Sequence, residues 1–240
     1  MTYKEGSKGA VVKQIQKVVG CYPDGIWGRL TTESVKAWQK AHSLTADGVA
    51  GPRTLAAMGI AAVTPQTGAS SAALSQVTAC YGSKVLTLRK SKRRIDYIAV
   101  HCTATPEGQD QTVAQIKAGH LKRGFSDIGY HYIIYRDGTV HEGRNVDISG
   151  AHVSGYNAHS IGVVYVGGLD GGGKCKDTRT QAQKAALLSL LIDLKMMYPD
   201  AKISGHRDFS PDLNHNGIIE PKEWIKECPC FDAKKEYERL

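Results

Sequence analysis

Apolar positions recur along this chain with two periods. Near the front they fall at helical spacing, with Val12, Ile15, Val18 and Val19 on one side of a short helix. Beyond residue 95 apolar runs and helical stripes take turns. IDYIAV (95–100) predicts a buried strand that delivers the polar HCTAT to its carboxyl end, and a helix is expected around 111–123. YHYIIYRDGTVHEG (130–143) reads as a hairpin about an Asp137-Gly138 turn, and residues 160–166 form a second apolar strand. A long helix over 178–198 places Ala186, Leu187, Leu190, Leu191 and Leu194 on one face and stops at Pro199. A short strand then leads to His206. Such alternation predicts an α/β fold, a mixed sheet with helices packed on it.

The front segment has a different organisation. Asp24-Gly25-Ile26-Trp27-Gly28, with Thr31 three residues on, is echoed 23 residues later by Asp47-Gly48-Val49-Ala50-Gly51 and Thr54. Each unit is a Gly-rich turn feeding a helix start, with a threonine near the cap position. Three short helices joined by two Asp-Gly loops are expected, with Trp27 and Trp38 as core residues. Residues 61–94 mark a composition shift: AAVTPQTGASSAALSQ reads as a linker, and KVLTLRKSKRR as a short apolar run in a solvated basic stretch. The expected division is therefore 1–60 for a small helical domain, 61–94 for the linker and basic segment, and 95–240 for the larger domain.

Composition narrows the class. At 41% hydrophobic residues the chain can build packed cores, and no apolar run reaches the roughly 18 residues a membrane span needs. MTYKEGSKGA lacks the apolar core of a secretory signal, so synthesis in a cytoplasm is expected. Six cysteines (21, 80, 102, 175, 228, 230) show no framework spacing and are read as free thiols plus a metal ligand, with Cys102 and Cys230 as small buried hydrophobes. The net charge of +8 sits in front: residues 1–60 hold 8 Lys/Arg against 4 Asp/Glu, residues 61–94 hold 6 against none, and the rest hold 17 against 19. A basic front end suits a polyanionic partner. No aromatic-basic interleaving or groove-reading motif supports nucleic acid. A monomer is the default expectation.

Candidate chemistry concentrates in GHRDFSPDLNHNGIIEPKEWIKECPCFD (205–232). Cys228 precedes a proline and is therefore extended, which turns Lys226 and Cys228 to the same side. Thiolate and imidazole are both zinc ligands, and a catalytic zinc takes three protein ligands with a fourth position open to water. His206 and Cys228 supply two, and His101, at the end of its strand, is the best third. Spacing alone leaves the alternative open, a turn histidine and a buried structural thiol.

VHCTAT (100–105), DIGYHYIIYRDGTVHEGR (127–144), AHVSGYNAHSIGVVYVGG (151–168), GHRD (205–208) and KECPCFD (226–232) together resemble the zinc-dependent N-acetylmuramoyl-L-alanine amidases of the phage-lysozyme type, relatives of the peptidoglycan-recognition proteins. The resemblance implies zinc on His101, His206 and Cys228, a catalytic Tyr130, a supporting Lys226, and hydrolysis of the muramoyl–L-alanine amide of bacterial wall. Strand alternation places Tyr130 and Tyr132 on one face and His131 on the other. His152 is expected to touch substrate. The front segment resembles a peptidoglycan-binding module. Together the two imply a wall hydrolase of endolysin type. The alternative is a recognition protein that binds wall without cutting it; such relatives typically lack a zinc ligand, whereas all three residues stand here.

A second metal pattern lies within the same stretch. Asp212, Asn214, Asn216, Gly217, Ile219 and Glu223 match the defined positions of a twelve-residue calcium loop, in which Ile218 would add its carbonyl and Pro221 would open an exiting helix. Calcium is expected there, weakly held because two acidic positions are Asn. The loop would clip the Lys226–Cys228 arm to His206.

Overall fold

The computed structural model describes residues 2–19, 21, 23, 25–60 and 75–240. Asp24 of the first repeat and most of the expected linker, 61–74, lie outside the described residues. The chain divides into two compact units, Met1–Ala72 and Ala73–Leu240.

The first unit carries α1 (Ala10–Val18), α2 (Arg29–Ala41) and α3 (Pro52–Ala57). Their apolar stripes meet around Val12, Ile15, Trp27, Val35, Ala50 and Leu55. The 23-residue repeat is also a repeat of buried hydrogen bonds. Gln16 donates to the Ile26 carbonyl and Thr31 Oγ1, both at 3.0 Å, and accepts from the Gly25 N–H at 2.7 Å. Gln39 donates to the Val49 carbonyl at 2.9 Å and Thr54 Oγ1 at 3.2 Å, and accepts from Gly48 N–H at 2.9 Å. Each glutamine thus pins the glycine turn that follows it to the helix beyond. The threonines are not the caps: Gly28 and Gly51 hold those positions, and the threonine hydroxyls serve the glutamines instead. Trp27 is buried as expected, while Trp38 is only partly so and stacks on His42 at 3.8 Å.

In the second unit, β1 (Gln76–Tyr81) and β2 (Lys84–Arg89) form an antiparallel hairpin. There follow β3 (Tyr97–Cys102), β4 (Thr105–Pro106), α4 (Val113–Lys122), β5 (Tyr132–Ile134), β6 (Val140–Glu142), β7 (Ser160–Tyr165), β8 (Gly168–Leu169), α5 (Gln181–Met197), β9 (Lys202–Gly205) and α6 (Ala233–Glu236). The central sheet runs β6-β5-β7-β3-β9, with β6 antiparallel and the others parallel. Ile98, Val100, Tyr132, Ile134, Val163 and Tyr165 face α5 on one side, and Ile133 and Val164 meet Ile116 of α4 on the other. Burial on both faces explains why these strands read as continuous apolar runs.

Both helices begin where a threonine caps them. Thr112 and Gln115 form a capping box for α4, and Thr180 and Gln183 form one for α5. The expected hairpin forms at Asp137-Gly138, where Gly138 takes φ 82° and Asp137 accepts from Thr139 N–H at 2.8 Å. Tyr81, Leu86 and Leu88 of the first hairpin join the main core, and Tyr81 donates to the buried Asp193 at 2.7 Å. The stretch before residue 94 is therefore built into this unit. Among the described residues no helix is long and apolar enough to cross a membrane.

Candidate metal centre

The parallel pairing of β3 with β9 sets Val100 opposite Gly205, so the next residues of the two chains, His101 and His206, emerge side by side at the carboxyl ends of the strands. This is where open α/β sheets place their ligands. Their Nδ1 atoms lie 3.1 Å apart. Cys228 enters from the C-terminal arm, which Arg207 N–H holds through the Cys228 carbonyl at 2.8 Å. Its Sγ accepts from Cys102 N–H at 3.3 Å and lies 3.8 Å from His101 Nδ1. The ligand atoms of the three residues all lie within 4.8 Å of one another, the one such His/Cys/Asp/Glu group among the described residues.

The donor set fits zinc. Tetrahedral bonds of about 2.0–2.1 Å to nitrogen and about 2.3 Å to sulfur require N···N near ~3.3 Å and N···S near ~3.6 Å, close to the 3.1 and 3.8 Å that His101 Nδ1 makes with His206 and Cys228. Burial depresses the basicity of His101, and burial followed by the Lys226 charge brings His206 down to about 4, so both imidazoles offer lone pairs at neutral pH. The Cys102 interaction and burial hold the metal-free Cys228 thiol protonated, and a cation at this point would ionise it.

A cavity of about 380 Å³ opens over His206 and Cys228, with Gln111, His120, Arg123, Tyr130 and Lys226 among its other lining residues. A second, of about 400 Å³, shares His152, His206 and Lys226 with it and continues towards Phe209 and Ile225. Together they form a groove lined by His206 and Cys228, with His101 buried behind it. The Tyr130 ring lies 5.1 Å from that of His101, and burial raises its phenol so that the O–H remains a donor. Lys226 is exposed at the rim and lines both cavities, as expected of a residue facing the same pocket as Cys228. His152 lines both as well, and its Nδ1 lies 3.1 Å from His101 Nε2.

Three expectations need correction. Tyr130 and Tyr132 do not share a face: Tyr132 sits in the core under α5, whereas Tyr130 packs on the α4 side. The regular strand starts only at Tyr132, so alternation does not extend back through Tyr130. Cys230 is not a simple buried thiol but is disulfide-bonded to Cys175, 55 residues away with Cα atoms 5.4 Å apart. Spacing could not show this, because the chain after β8 folds back beside the C-terminal arm. Cys102 is the free buried thiol expected. Finally, Arg93, read as part of a solvated basic run, donates to the carbonyls of Val146, Asn157, Ala158 and Ser160 and so holds the turn entering β7. Nothing in its local sequence separates it from its basic neighbours.

The 212–223 loop closes on its own main chain. Asp212 accepts from Asn216 and Gly217, Asn216 from Ile218, and Glu223 from Leu213, Asn214 and Glu220. Pro221 opens a short 3-10 turn, Pro221–Glu223, in place of the expected helix. The two ends of the loop meet: Ile225 N–H donates to Ser210 Oγ at 3.0 Å, and Arg207 stacks over Trp224 at 4.3 Å.

Two histidines beside the ligands make stability pH-dependent. Burial brings His120 and His131 down to about 4 from 6.5. Between those values the unfolded chain takes up protons that the folded chain refuses, so stability is full above 6.5 and is lost as pH falls towards 4. Denaturant midpoints of chelator-treated protein should therefore drop steadily from pH 7 to pH 4.5; a flat profile would contradict the buried neutral state of these rings.

Residues 91–223 match the N-acetylmuramoyl-L-alanine amidase family, and residues 9–58 match a peptidoglycan binding domain family. The endolysin of Klebsiella phage KP32 is 41% identical over 148 residues, covering 62% of this chain and 89% of its own. The endolysin of Escherichia phage T7 is 40% identical over 150 residues, covering 62% and 90%. Among solved structures, the endolysin amidase LysCS of Clostridium intestinale superposes with a TM-score of 0.47 at 25% identity, over 67% of this chain and 88% of that one. The chain belongs to the N-acetylmuramoyl-L-alanine amidase family and is a peptidoglycan hydrolase that cuts the amide between N-acetylmuramic acid and the L-alanine of the stem peptide.

Proposed function

We propose that this amidase works through a zinc ion held by His101, His206 and Cys228, with Tyr130 and Lys226 as its catalytic side chains. The observation that carries the reading is the convergence of two imidazole nitrogens and one sulfur within 4.8 Å of one another beside the groove, with His101 Nδ1 at 3.1 Å from His206 and 3.8 Å from Cys228. When bound, zinc supplies Lewis-acid polarisation of the scissile carbonyl and acidification of a water. The thiolate lowers the net charge of the site from +2 to +1, so the chain's own donors have more to do. Tyr130 offers its O–H to the oxygen on which negative charge develops. Lys226 brings a compact positive charge to the same groove from the opposite arm. His152, at the junction of the two cavities, borders the bound substrate.

Residues 1–60 would hold the enzyme on the wall, where it acts as a monomer, while the rest of the chain cuts. Digestion of purified peptidoglycan tests the reading. New L-alanine amino termini should appear, vanish on chelation and return with zinc. Wall binding without any new amine would favour the recognition alternative.

The 212–223 loop stands as a second proposed cation site, supported by its match to the calcium pattern. Titrating calcium into chelator-treated protein should give saturable heat in the millimolar range. No heat at that concentration would leave the loop as a clip made of hydrogen bonds alone.

A further inference from the structure

We infer that His152 and Ser160 are positioning residues that fix the tautomer of His101, so that Nδ1 of that ring faces the metal; the inference rests on the zinc reading above. The argument begins at a main-chain carbonyl. Ser160 Oγ donates its only proton to the Tyr156 carbonyl at 2.8 Å. What Ser160 turns towards His152 Nε2, 3.4 Å away, is therefore a lone pair, and Nε2 must carry the hydrogen. A neutral imidazole has one N–H, so Nδ1 of His152 is bare. It accepts from His101 Nε2–H at 3.1 Å. The proton of His101 is thereby committed to Nε2, which leaves Nδ1 as the lone pair beside His206 and Cys228.

The surroundings keep His152 in this pose. A Cβ at position 150 would stand 2.4 Å from His152 Cδ2, and one at position 162 would stand 2.7 Å from the same atom. Glycine at both places makes the slot that the ring occupies. Main-chain N–H groups of His152 and Val153 both donate to Asn157 Oδ1, at 2.8 and 2.9 Å, anchoring the backbone beneath it. Neighbouring His131 does not compete, because its Nδ1 accepts from Gly162 N–H and its Nε2–H is directed at the Ile148 carbonyl. His131 Nε2 also lies 3.2 Å from Arg93 Nη2, but two donors face each other there, so that contact is packing and not a hydrogen bond.

Metal-binding histidines depend on such a partner for orientation and basicity, at about 10–100-fold in metal affinity. Asparagine and leucine at position 152 have nearly the same shape, but only asparagine places an acceptor where Nδ1 now sits. Zinc affinity should be measured by competition with a chromophoric chelator, alongside the visible spectrum of the cobalt-loaded protein and the unfolding midpoint without metal. His152→Leu should weaken zinc by about 10-fold or more and alter the cobalt bands, while His152→Asn stays near the wild-type affinity. Ser160→Ala, which leaves the ring in place, should weaken zinc in the same direction by a smaller factor. Equal affinities for the leucine and asparagine variants, with unchanged binding in Ser160→Ala, would overturn the inference. Absence of zinc binding by the wild type would instead remove the metal reading beneath it.

Discussion

Replacing Cys228 with serine should strip the protein of its metal and lower the amidase rate by at least about a thousandfold, some 4 kcal/mol of transition-state stabilisation. Once ionised by a bound cation, the sulfur would be the one anionic donor of the triad, and it enters on an arm tied by Arg207 N–H and Cys102 N–H. A serine hydroxyl is shorter, stays protonated and binds zinc poorly, so the two histidines would be left to hold a dication alone. The measurement is zinc per chain together with the rate of amine release from purified wall. A serine variant that keeps both zinc and activity would mean that Cys228 is not a ligand.

Tyr130→Phe should separate chemistry from metal binding. The phenylalanine ring keeps the packing against Ile116, Ile128 and Ile133, so fold and zinc content should be unchanged. What is lost is one O–H on a ring that lines the groove, and removal of a single oxyanion donor costs about 10²–10³ in kcat. KM should move little, because the interaction strengthens only as charge develops. Lys226→Ala should produce a loss of the same kind, since that side chain is exposed and carries no part of the core. A rise in KM with kcat preserved would reassign Tyr130 to substrate binding.

How far the sequence led depends on what each residue answers to. His101 was legible because the apolar run 95–100 reads as a buried strand that delivers its next polar residue to the carboxyl edge, whereas His206 was picked out of the 205–232 stretch with only a short strand before it. Cys228 and Lys226 came from local chain direction near a proline. Gln16 and Gln39 were less visible, although their 23-residue separation repeats that of the turns they pin. Asp-Gly turns advertise themselves by composition, whereas a glutamine in a helix reads as surface until its partners are known. Arg93 and the Cys175–Cys230 pair were hidden for a further reason: each is defined by chain brought in from more than 50 residues away. Tyr130 sits where periodicity fails, two residues before the strand regularises, so its side of the sheet could not be counted from Tyr132.

X-ray absorption at the zinc edge of the wild-type protein tests the central claim most directly. The triad predicts one sulfur at about 2.3 Å and two histidine nitrogens at about 2.0–2.1 Å, with a further light atom completing the shell. A shell without sulfur, a shell of several sulfurs, or a well-folded protein that takes up no zinc would contradict a centre built from His101, His206 and Cys228.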